Sequence, residues 1–313
     1  MAGRERGLDD AARAAWLSYV AGNTQDEIAA KLGVSRQKAQ RLISQAQSAG
    51  LIRVRIDHPI SNCLSIAQDL TDRYGLRFCN VVPSDPASGS SVLGVADATA
   101  DAIEHWLSRE EPVVLALGTG RTLKAAVQQL PQIDCPQHRI VSLTGNIAPS
   151  GATAFYNVLF SLGERVNATT FPLPMPVVAN SAEECAALRE QPMIRRALDL
   201  VIEADVAFVG VGQMSEDAPL YMDGFITAED LDLNRRHGAV GEIIGWVFDA
   251  EGRVLTEGSN ARVAAAPLRF ADEALVIGTA MGASKVPGVR AAIKGGILNG
   301  LITDEVTGRM LLK

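Results

Sequence analysis

The segment Gly118-Thr119-Gly120-Arg121-Thr122 has the composition of a loop that binds an anion. It follows the apolar run PVVLAL, so it lies where a predicted strand gives way to a helix. The glycines would let backbone N–H groups approach an anion closely, the hydroxyls and Arg121 add donors, and the next helix presents its positive N-terminal end. The same residues could also form a plain tight turn, and the sequence leaves both interpretations open.

Three further loops that follow predicted strands could contribute to the same site. They contain Asn146 in Leu143-Thr144-Gly145-Asn146, Gly212 and Gln213 in Gly210-Val211-Gly212-Gln213, and Lys285 in Gly282-Ala283-Ser284-Lys285. In open α/β sheets, ligands bind beyond the carboxyl ends of the strands. Lys285 precedes Val286-Pro287, where a helix is expected to begin, and a cation there is unfavourable unless a bound anion offsets it. Each loop could instead be a simple turn, and Lys285 a solvated surface lysine.

Two carboxylates also lie next to predicted strands. Glu242 in GAVGEI is either an exposed turn residue or an acceptor for a ligand hydroxyl group. Asp304 ends LITD and is expected to cap the last helix. The histidines share no spacing with a Ser, a Cys or a carboxylate that would indicate a catalytic triad or a metal site.

Near the N-terminus, residues 25–43, QDEIAAKLGVSRQKAQRLI, have the pattern of a helix-turn-helix. Gly33 occupies the turn, where a positive φ is favoured, and Thr24 and Ser35 are the expected N-caps of the two helices. The second helix carries side chains that could donate to base edges and phosphates. Together with the two caps, the predicted DNA-binding residues are Arg36, Gln37, Lys38, Gln40 and Arg41.

A further helix and a short strand are predicted on either side of the helix-turn-helix. Residues 8–22 predict a first helix with its apolar stripe on Leu8, Ala12, Trp16 and Tyr19 or Val20. The third helix is expected to end near Gly50, with that glycine just beyond its last turn. Residues 51–56 alternate apolar and basic types, which predicts a strand forming a short wing, and Pro59 closes the unit.

From Phe78 onward, short apolar runs alternate with helical stretches, and residues 61–75 predict a helix that precedes them. The predicted strands are 78–82, 112–117, 139–145, 205–212, 242–249, 274–280 and 297–304, and the predicted helices include 94–108, 122–130, 152–166 and 194–203. This alternation predicts a mainly parallel sheet covered on both faces. The fold class is therefore α/β, with a winged helix-turn-helix domain in front.

The length of 313 residues and the charge distribution predict two domains, 1–58 and 59–313. The first holds nine Lys/Arg against six Asp/Glu, a charge of +3, and the second holds 20 against 30, a charge of −10. The basic excess therefore coincides with the predicted DNA reader. No membrane span or secretory signal is predicted. The scattered cysteines indicate reduced thiols in a cytoplasmic protein, without structural disulfides, zinc or any cofactor.

The chain resembles the SorC family of bacterial sugar-responsive transcriptional regulators over nearly its full length. The resemblance rests on the helix-turn-helix and on four further stretches in order. These are GTGRTL at 118–123, ADVAFVGVG at 204–212, GAVGEIIGWVFDAEG at 238–252 and KVPGVRAAIKGGILNGLITDE at 285–305. The last of them is the most specific.

The resemblance implies an effector domain similar to ribose-5-phosphate isomerase and glucosamine-6-phosphate deaminase, used for sensing. It implies phosphorylated sugars or sugar-like effectors and a homotetramer. By position, Gly118 to Thr122 would meet the effector phosphate, and Lys285 would reach the same ligand. Glu242 replaces the Asp that usually follows Gly in the family's GDI motif, and the phosphate loop lacks a Trp often found there.

The expected function is a transcriptional regulator, a repressor of a carbohydrate or polyol catabolic operon that binds double-stranded operator DNA. A sugar-phosphate isomerase or deaminase is the alternative, because that fold would be shared, although fold does not imply function. A purely structural DNA-binding protein fits poorly with a large acidic α/β domain.

Overall fold

The computed structural model describes residues 2–49, 51–52, 60–85, 91–148, 151–152, 157–268 and 274–313. The chain divides into two compact units, Met1–His58 and Pro59–Lys313. Within the described residues, no helix is both long enough and apolar enough to cross a membrane.

The N-terminal unit contains helices α1 (Ala2–Tyr19), α2 (Gln25–Leu32) and α3 (Arg36–Ser48). Its core is built from small and aliphatic side chains of all three helices. They are Ala11, Ala14, Ala15, Ile28, Ala29, Ala39, Leu42 and Ala46. Alanines at these positions let the helices approach closely, as expected for a helix-turn-helix.

The predicted apolar stripe on the first helix was wrong. Trp16 is 57% exposed, Tyr19 and Val20 are exposed as well, and Ala11, Ala14 and Ala15 face the core instead. The helix also starts and ends earlier than predicted, at Ala2 and Tyr19. The spacing of the apolar residues correctly predicted a helix. Because the helices pack closely, the small residues of α1 face the core and the large ones do not.

The third helix and the segment predicted to form a wing are described only in part. Helix α3 ends at Ser48 with Ala49 as its C-cap, whereas Gly50 lies outside the described residues. Leu51 and Ile52 are not in a strand, and residues 53–59, the remainder of the predicted wing together with Pro59, are outside the described part.

The C-terminal unit alternates strands and helices. Its first half contains α4 (Ser61–Tyr74), β1 (Phe78–Val82), α5 (Ser91–Leu107), β2 (Val114–Leu117), α6 (Arg121–Gln129), β3 (Arg139–Ile147), α7 (Val158–Gly163), β4 (Thr169–Pro176), α8 (Ala182–Arg189) and α9 (Pro192–Ile202). Its second half contains β5 (Val206–Gly210), β6 (Gly212–Gln213), α10 (Pro219–Met222), α11 (Ala228–Arg236), β7 (Gly241–Ile243), β8 (Trp246–Phe248), β9 (Leu275–Thr279), α12 (Val286–Lys294), β10 (Gly300–Asp304) and α13 (Glu305–Leu311). Short 3₁₀ turns span Gly258–Arg262 and Ala283–Lys285.

Seven strands form one parallel sheet in the order β1-β10-β9-β5-β2-β3-β4. Alternate residues of β2 join different apolar clusters, Val114 and Ala116 on one side and Leu115 and Leu117 on the other. Because successive side chains of a strand point to opposite faces, both faces of the sheet are covered. The predicted α/β fold class is confirmed.

The predicted strand 242–249 is a hairpin, and the predicted strand 205–212 is two strands. Residues Ile244 and Gly245 form the turn between β7 and β8. Strand β7 also pairs with β6, so the three strands form a second, antiparallel sheet in the order β6-β7-β8. Ile244 has φ +48° and Gly245 φ +89°, the positive values that a two-residue hairpin turn requires. The sequence did not reveal the turn, because the apolar run is unbroken and isoleucine rarely adopts a positive φ.

Sequence reasoning also missed β4 and the helices α8, α10 and α11. Strand β4 reads TTFPLPMP, and its prolines argue against a strand except at a sheet edge, where β4 lies. The predicted helix 152–166 is confined to Val158–Gly163 among the described residues, and positions 153–156 are not described.

Candidate functional site

The Gly118–Thr122 segment lies at the carboxyl end of β2 and leads into α6. The Gly118 N–H donates to the Phe208 carbonyl of β5 at 2.8 Å. A Cβ at Gly118 would lie 3.2 Å from that oxygen, so the strand requires a residue of minimal size. Gly120 is the N-cap of α6 with φ +129°, a conformation that glycine tolerates. The loop therefore presents the start of a helix at the edge of the sheet.

A small cleft, partly open to solvent, lies beside this loop. Its walls come from the ends of β2 and β3, from α7 and from β4. The lining residues are Gly118, Thr119, Ser142, Thr144, Gly145, Asn146, Asn157, Val158, Leu159, Phe160, Pro172 and Leu173. The Asn146 Oδ1 atom is buried, and the described part of the chain supplies no hydrogen-bond partner for it. This unpaired oxygen is placed to accept a hydrogen bond from a hydroxyl group.

Glu242, Gln213 and Lys285 form a second group of polar residues. Gly212 of β6 pairs with Glu242 of β7, and the Glu242 side chain lies against Gly212. The Glu242 Oε2 atom accepts a hydrogen bond from the Gly245 N–H at 2.8 Å, which turns the carboxylate back onto its own hairpin. Lys285 is the N-cap residue of α12, as predicted.

Charge and burial oppose each other in this group. Burial raises the pKa of the Glu242 carboxyl, while the Gly245 N–H and the Lys285 ammonium lower it. Burial also lowers the pKa of the Lys285 ammonium, which the Glu242 carboxylate raises and the Arg121 guanidinium lowers. The charges of Arg121 and Glu242 therefore both act on the Lys285 ammonium where α12 begins.

The structure brings the predicted residues together as two adjoining groups. Gly118, Thr119 and Asn146 line the cleft, whereas Arg121 and Glu242 each act electrostatically on Lys285. Ile244 connects them, since its Cγ2 would lie 3.4 Å from a Cβ at Gly118. Gln213, Glu242 and Lys285 are not part of the cleft lining, and Thr122 lies in the first turn of α6.

Two carboxylates near this site were missed by sequence reasoning. Asp217 interacts with Lys285, and Asp223 interacts with Arg121. Both lie between β6 and α11, in a segment whose sequence carries no ligand-binding pattern. Their proximity to the cations depends on how the antiparallel sheet folds.

The remaining candidate groups are structural. Asp304 caps α13 by accepting from the Thr307 N–H at 3.1 Å, as predicted. His138 is buried, where its Nδ1 accepts from the Val113 N–H at 3.2 Å. Among the described residues, no group of His, Cys, Asp or Glu could hold a metal ion.

The helix-turn-helix has the predicted caps. Thr24 and Glu27 form a capping box at α2, and the Ser35 Oγ accepts from the Lys38 N–H at 3.2 Å. Gly33 has φ +63° at the turn. The predicted reader residues at the start of α3 are all exposed, namely Arg36, Gln37, Lys38, Gln40 and Arg41.

Arg36 differs from the other reader residues because it is already engaged. Its Nη1 lies 3.3 Å from the Asp26 carboxylate on α2, and its Nε donates to Gln25. An ion pair this exposed adds little stability, so its main effect is to orient Arg36 across the two helices.

Comparison with known proteins shows the family to which the chain belongs. Residues 58–313 match the family model described as "Putative sugar-binding domain". The erythritol catabolism regulatory protein EryD of Brucella abortus is 34% identical over 302 residues, which cover 96% of each chain. The chain belongs to the SorC family of sugar-binding transcriptional regulators.

Other members of the SorC family agree in length and fold. The transcriptional regulator LsrR of Escherichia coli is 31% identical over 314 residues, 97% of this chain and 95% of LsrR. The full-length sorbitol operon regulator SorC of Klebsiella pneumoniae superposes with a TM-score of 0.74 at 22% identity, covering 97% of this chain and 98% of SorC. These relatives are transcriptional regulators and not enzymes, so the isomerase or deaminase alternative falls away.

Proposed function

We propose that this SorC-family regulator represses a carbohydrate or polyol catabolic operon and that a phosphorylated sugar or polyol changes its affinity for operator DNA. The observation that supports an anionic effector best is the pair of cations, Arg121 and Lys285, beside a helix-starting glycine loop. EryD and SorC are named for erythritol catabolism and a sorbitol operon, which favours effectors of the polyol type.

In this proposal, the effector phosphate binds the backbone N–H groups and side chains of Gly118 to Thr122 and the Lys285 ammonium. The hydroxyl groups of the effector reach the Asn146 oxygen in the cleft and the Gln213 and Glu242 side chains beside it. A helix N-terminus and two cations stabilise the phosphate, and buried acceptors orient the hydroxyls.

At the other end of the chain, α3 enters the major groove of the operator. Gln37, Lys38, Gln40 and Arg41 contact bases and phosphates, Arg36 adds a contact from its position on Asp26, and the capped helix starts at Thr24 and Ser35 approach the backbone. We propose a homotetramer, because several weak readers then bind together. The effector and the operator are coupled by about 1–3 kcal/mol, the usual range for such linkage.

The test begins with a thermal-shift screen of the full chain against sugar and polyol phosphates, including erythritol phosphate. A ligand at about 100 times its dissociation constant should stabilise the protein by about 2.7 kcal/mol. The ligand found in this way is then used in gel-shift titrations with operator DNA.

Two variants separate the two halves of the proposal. Lys285→Ala should lose effector binding and keep operator binding, whereas Lys38→Ala should lose operator binding and keep effector binding. Lys294→Ala is the matched control for the first, because Lys294 ends the same helix and pairs with Glu251. Normal effector affinity in Lys285→Ala by calorimetry would overturn the phosphate assignment, and normal operator affinity in Lys38→Ala the reader assignment.

A further inference from the structure

Helix α2 begins with two acidic residues whose side chains have different roles. The Glu27 carboxylate closes the capping box, because its Oε2 accepts from the Thr24 N–H at 2.7 Å. Asp26 is not part of that capping box, and its carboxylate lies 3.3 Å from the Arg36 Nη1 atom at the start of α3. One acidic residue therefore stabilises its own helix, and the other is paired with the reader helix.

The Arg36 guanidinium is held at two points by the first turn of α2. Its Nε donates to the Gln25 Oε1 at 3.4 Å, and its Nη1 donates to the Asp26 Oδ2 at 3.3 Å. An arginine side chain has many rotamers and loses entropy when a contact fixes it. Contacts that already restrict the side chain in the free protein reduce this loss when DNA binds.

The contacts with α2 leave Arg36 able to read a base. Arginine has five N–H donors, and Gln25 and Asp26 use two of them. Among the described residues, the Arg36 Nη2 atom has no hydrogen-bond partner. Neighbouring donors of one guanidinium match the O6 and N7 acceptors of guanine in the major groove. Arg36 is the first residue of α3, and the N-terminal residues of a recognition helix are those that reach base edges.

A carboxylate beside a DNA reader is otherwise unfavourable. The Asp26 side chain is 69% exposed, and a negative charge at the binding surface repels the phosphates of the duplex. An ion pair between two exposed side chains also contributes little to stability. The benefit of Asp26 to DNA binding is therefore expected in the orientation of Arg36 and not in affinity for DNA of any sequence.

We propose that Asp26, assisted by Gln25, is a positioning residue that aligns the Arg36 guanidinium with a guanine of the operator, so that α2 determines how strictly α3 selects that base. This inference rests on the proposed binding of operator DNA by α3. Without Asp26, the guanidinium would also reach neighbouring bases and phosphates. The preference for guanine would then fall, while the general attraction to DNA would not.

The test measures base preference with the full chain. The wild type selects duplexes from a DNA pool with a randomised segment, and fluorescence anisotropy at one salt concentration compares the selected duplex with its single-base variants. The wild type should prefer guanine at one position by about tenfold or more, and Arg36→Ala should remove that preference. Asp26→Ala should reduce the same preference to about threefold or less and should not weaken binding to duplexes of unrelated sequence.

Asp10→Ala is the matched control, because it removes an exposed carboxylate from α1 of the same unit. It should leave the preference for guanine unchanged. If Asp26 acted only on the dipole of α2, Asp26→Ala would lower thermal stability and keep the guanine preference, which would overturn the inference.

Two further outcomes separate this inference from the proposed function. If Arg36→Ala weakened binding to all sequences equally, Arg36 would be a phosphate contact, and the inference would be overturned while operator binding by α3 remained. If the wild type selected no sequence from the pool, the proposed operator binding would fail and this inference with it.

Discussion

At the scale of single residues, Glu242 and Lys285 are each in surroundings that disfavour their charged forms. Burial raises the pKa of the Glu242 carboxyl and lowers the pKa of the Lys285 ammonium. Their mutual attraction opposes both shifts, the Gly245 N–H also lowers the Glu242 pKa, and the Asp217 carboxylate also raises the Lys285 pKa. The Glu242 carboxylate folds back and accepts a hydrogen bond from the Gly245 N–H at 2.8 Å. Burial therefore makes the charged forms of both side chains costly.

Glu242→Gln should change how stability depends on pH. The raised pKa means that the folded state binds the Glu242 proton more tightly than the unfolded state does, so this contribution to stability is present at low pH and is lost as pH rises through the folded pKa. Glutamine has no such contribution. Denaturant titrations over a pH series should therefore show the wild type losing stability relative to Glu242→Gln as pH rises above the ordinary carboxyl range. If stability varied with pH in the same way for the wild type and Glu242→Gln, the raised pKa of Glu242 would be contradicted. The control Glu216→Gln should vary with pH in the same way as the wild type.

The structural roles of several single residues could be predicted from the sequence. The caps Thr24, Ser35 and Asp304 and the helix start after Lys285 follow from local rules, because each depends on bonds within a few residues. Asp217 was not predictable, because its electrostatic effect on Lys285 depends on how distant parts of the chain fold together.

At the scale of elements, α12 is positioned by glycines that touch the antiparallel sheet. A Cβ at Gly241 of β7 would lie only 2.8 Å from the Gly288 Cα of α12. Further along, Gly295 just beyond the helix meets Gly252 beyond β8 in the same way. Since Lys285 caps α12 and Glu242 follows Gly241, this close contact sets the distance between the ammonium and the carboxylate.

Gly241→Ala should therefore push α12 away from β7. The expected cost is about 1–3 kcal/mol of stability, the usual range for an overpacked site, together with weaker binding of inorganic phosphate. Gly163→Ala is the control, because its Cβ would have an ordinary 3.9 Å contact. Chemical denaturation and calorimetry measure both effects, and a variant with wild-type stability and phosphate affinity would show that the contact does not position Lys285.

Some helices and strands could be predicted from sequence patterns and others could not. Strands β2, β3, β5, β9 and β10 followed from apolar runs, because a parallel sheet buries its strands on both faces. The hairpin at Ile244, the proline-containing edge strand β4 and the alanine face of α1 each break the pattern for a tertiary reason. A strained turn, a sheet edge and a close helix contact are properties of the fold and not of a local segment.

At the scale of the whole molecule, two compact units with separate apolar cores carry opposite charges. The core of the N-terminal helices shares no residue with the clusters of the α/β unit. The charge of +3 on residues 1–58 and of −10 on residues 59–313 favours DNA contact by the first unit alone.

Scanning calorimetry of the full chain should accordingly show two unfolding transitions. Inorganic phosphate should raise the temperature of only the one that belongs to residues 59–313, since ligands stabilise the unit that binds them. Lys285→Ala should abolish this shift and leave the other transition unchanged. A single transition that moves as a whole with phosphate would contradict the independence of the two cores.

The order of strands in the sheet has a consequence for synthesis on the ribosome. Strand β10 lies between β1 and β9, and Phe78 pairs with Gly300, so β1 has no neighbour until the last strand has been made. The three N-terminal helices depend only on nearby residues and can fold while the chain is still growing. The N-terminal helices of a nascent chain can thus fold before the sheet of the α/β unit is complete. A chain that terminated before Gly300 would keep these helices and lack the strand that joins β1 to β9.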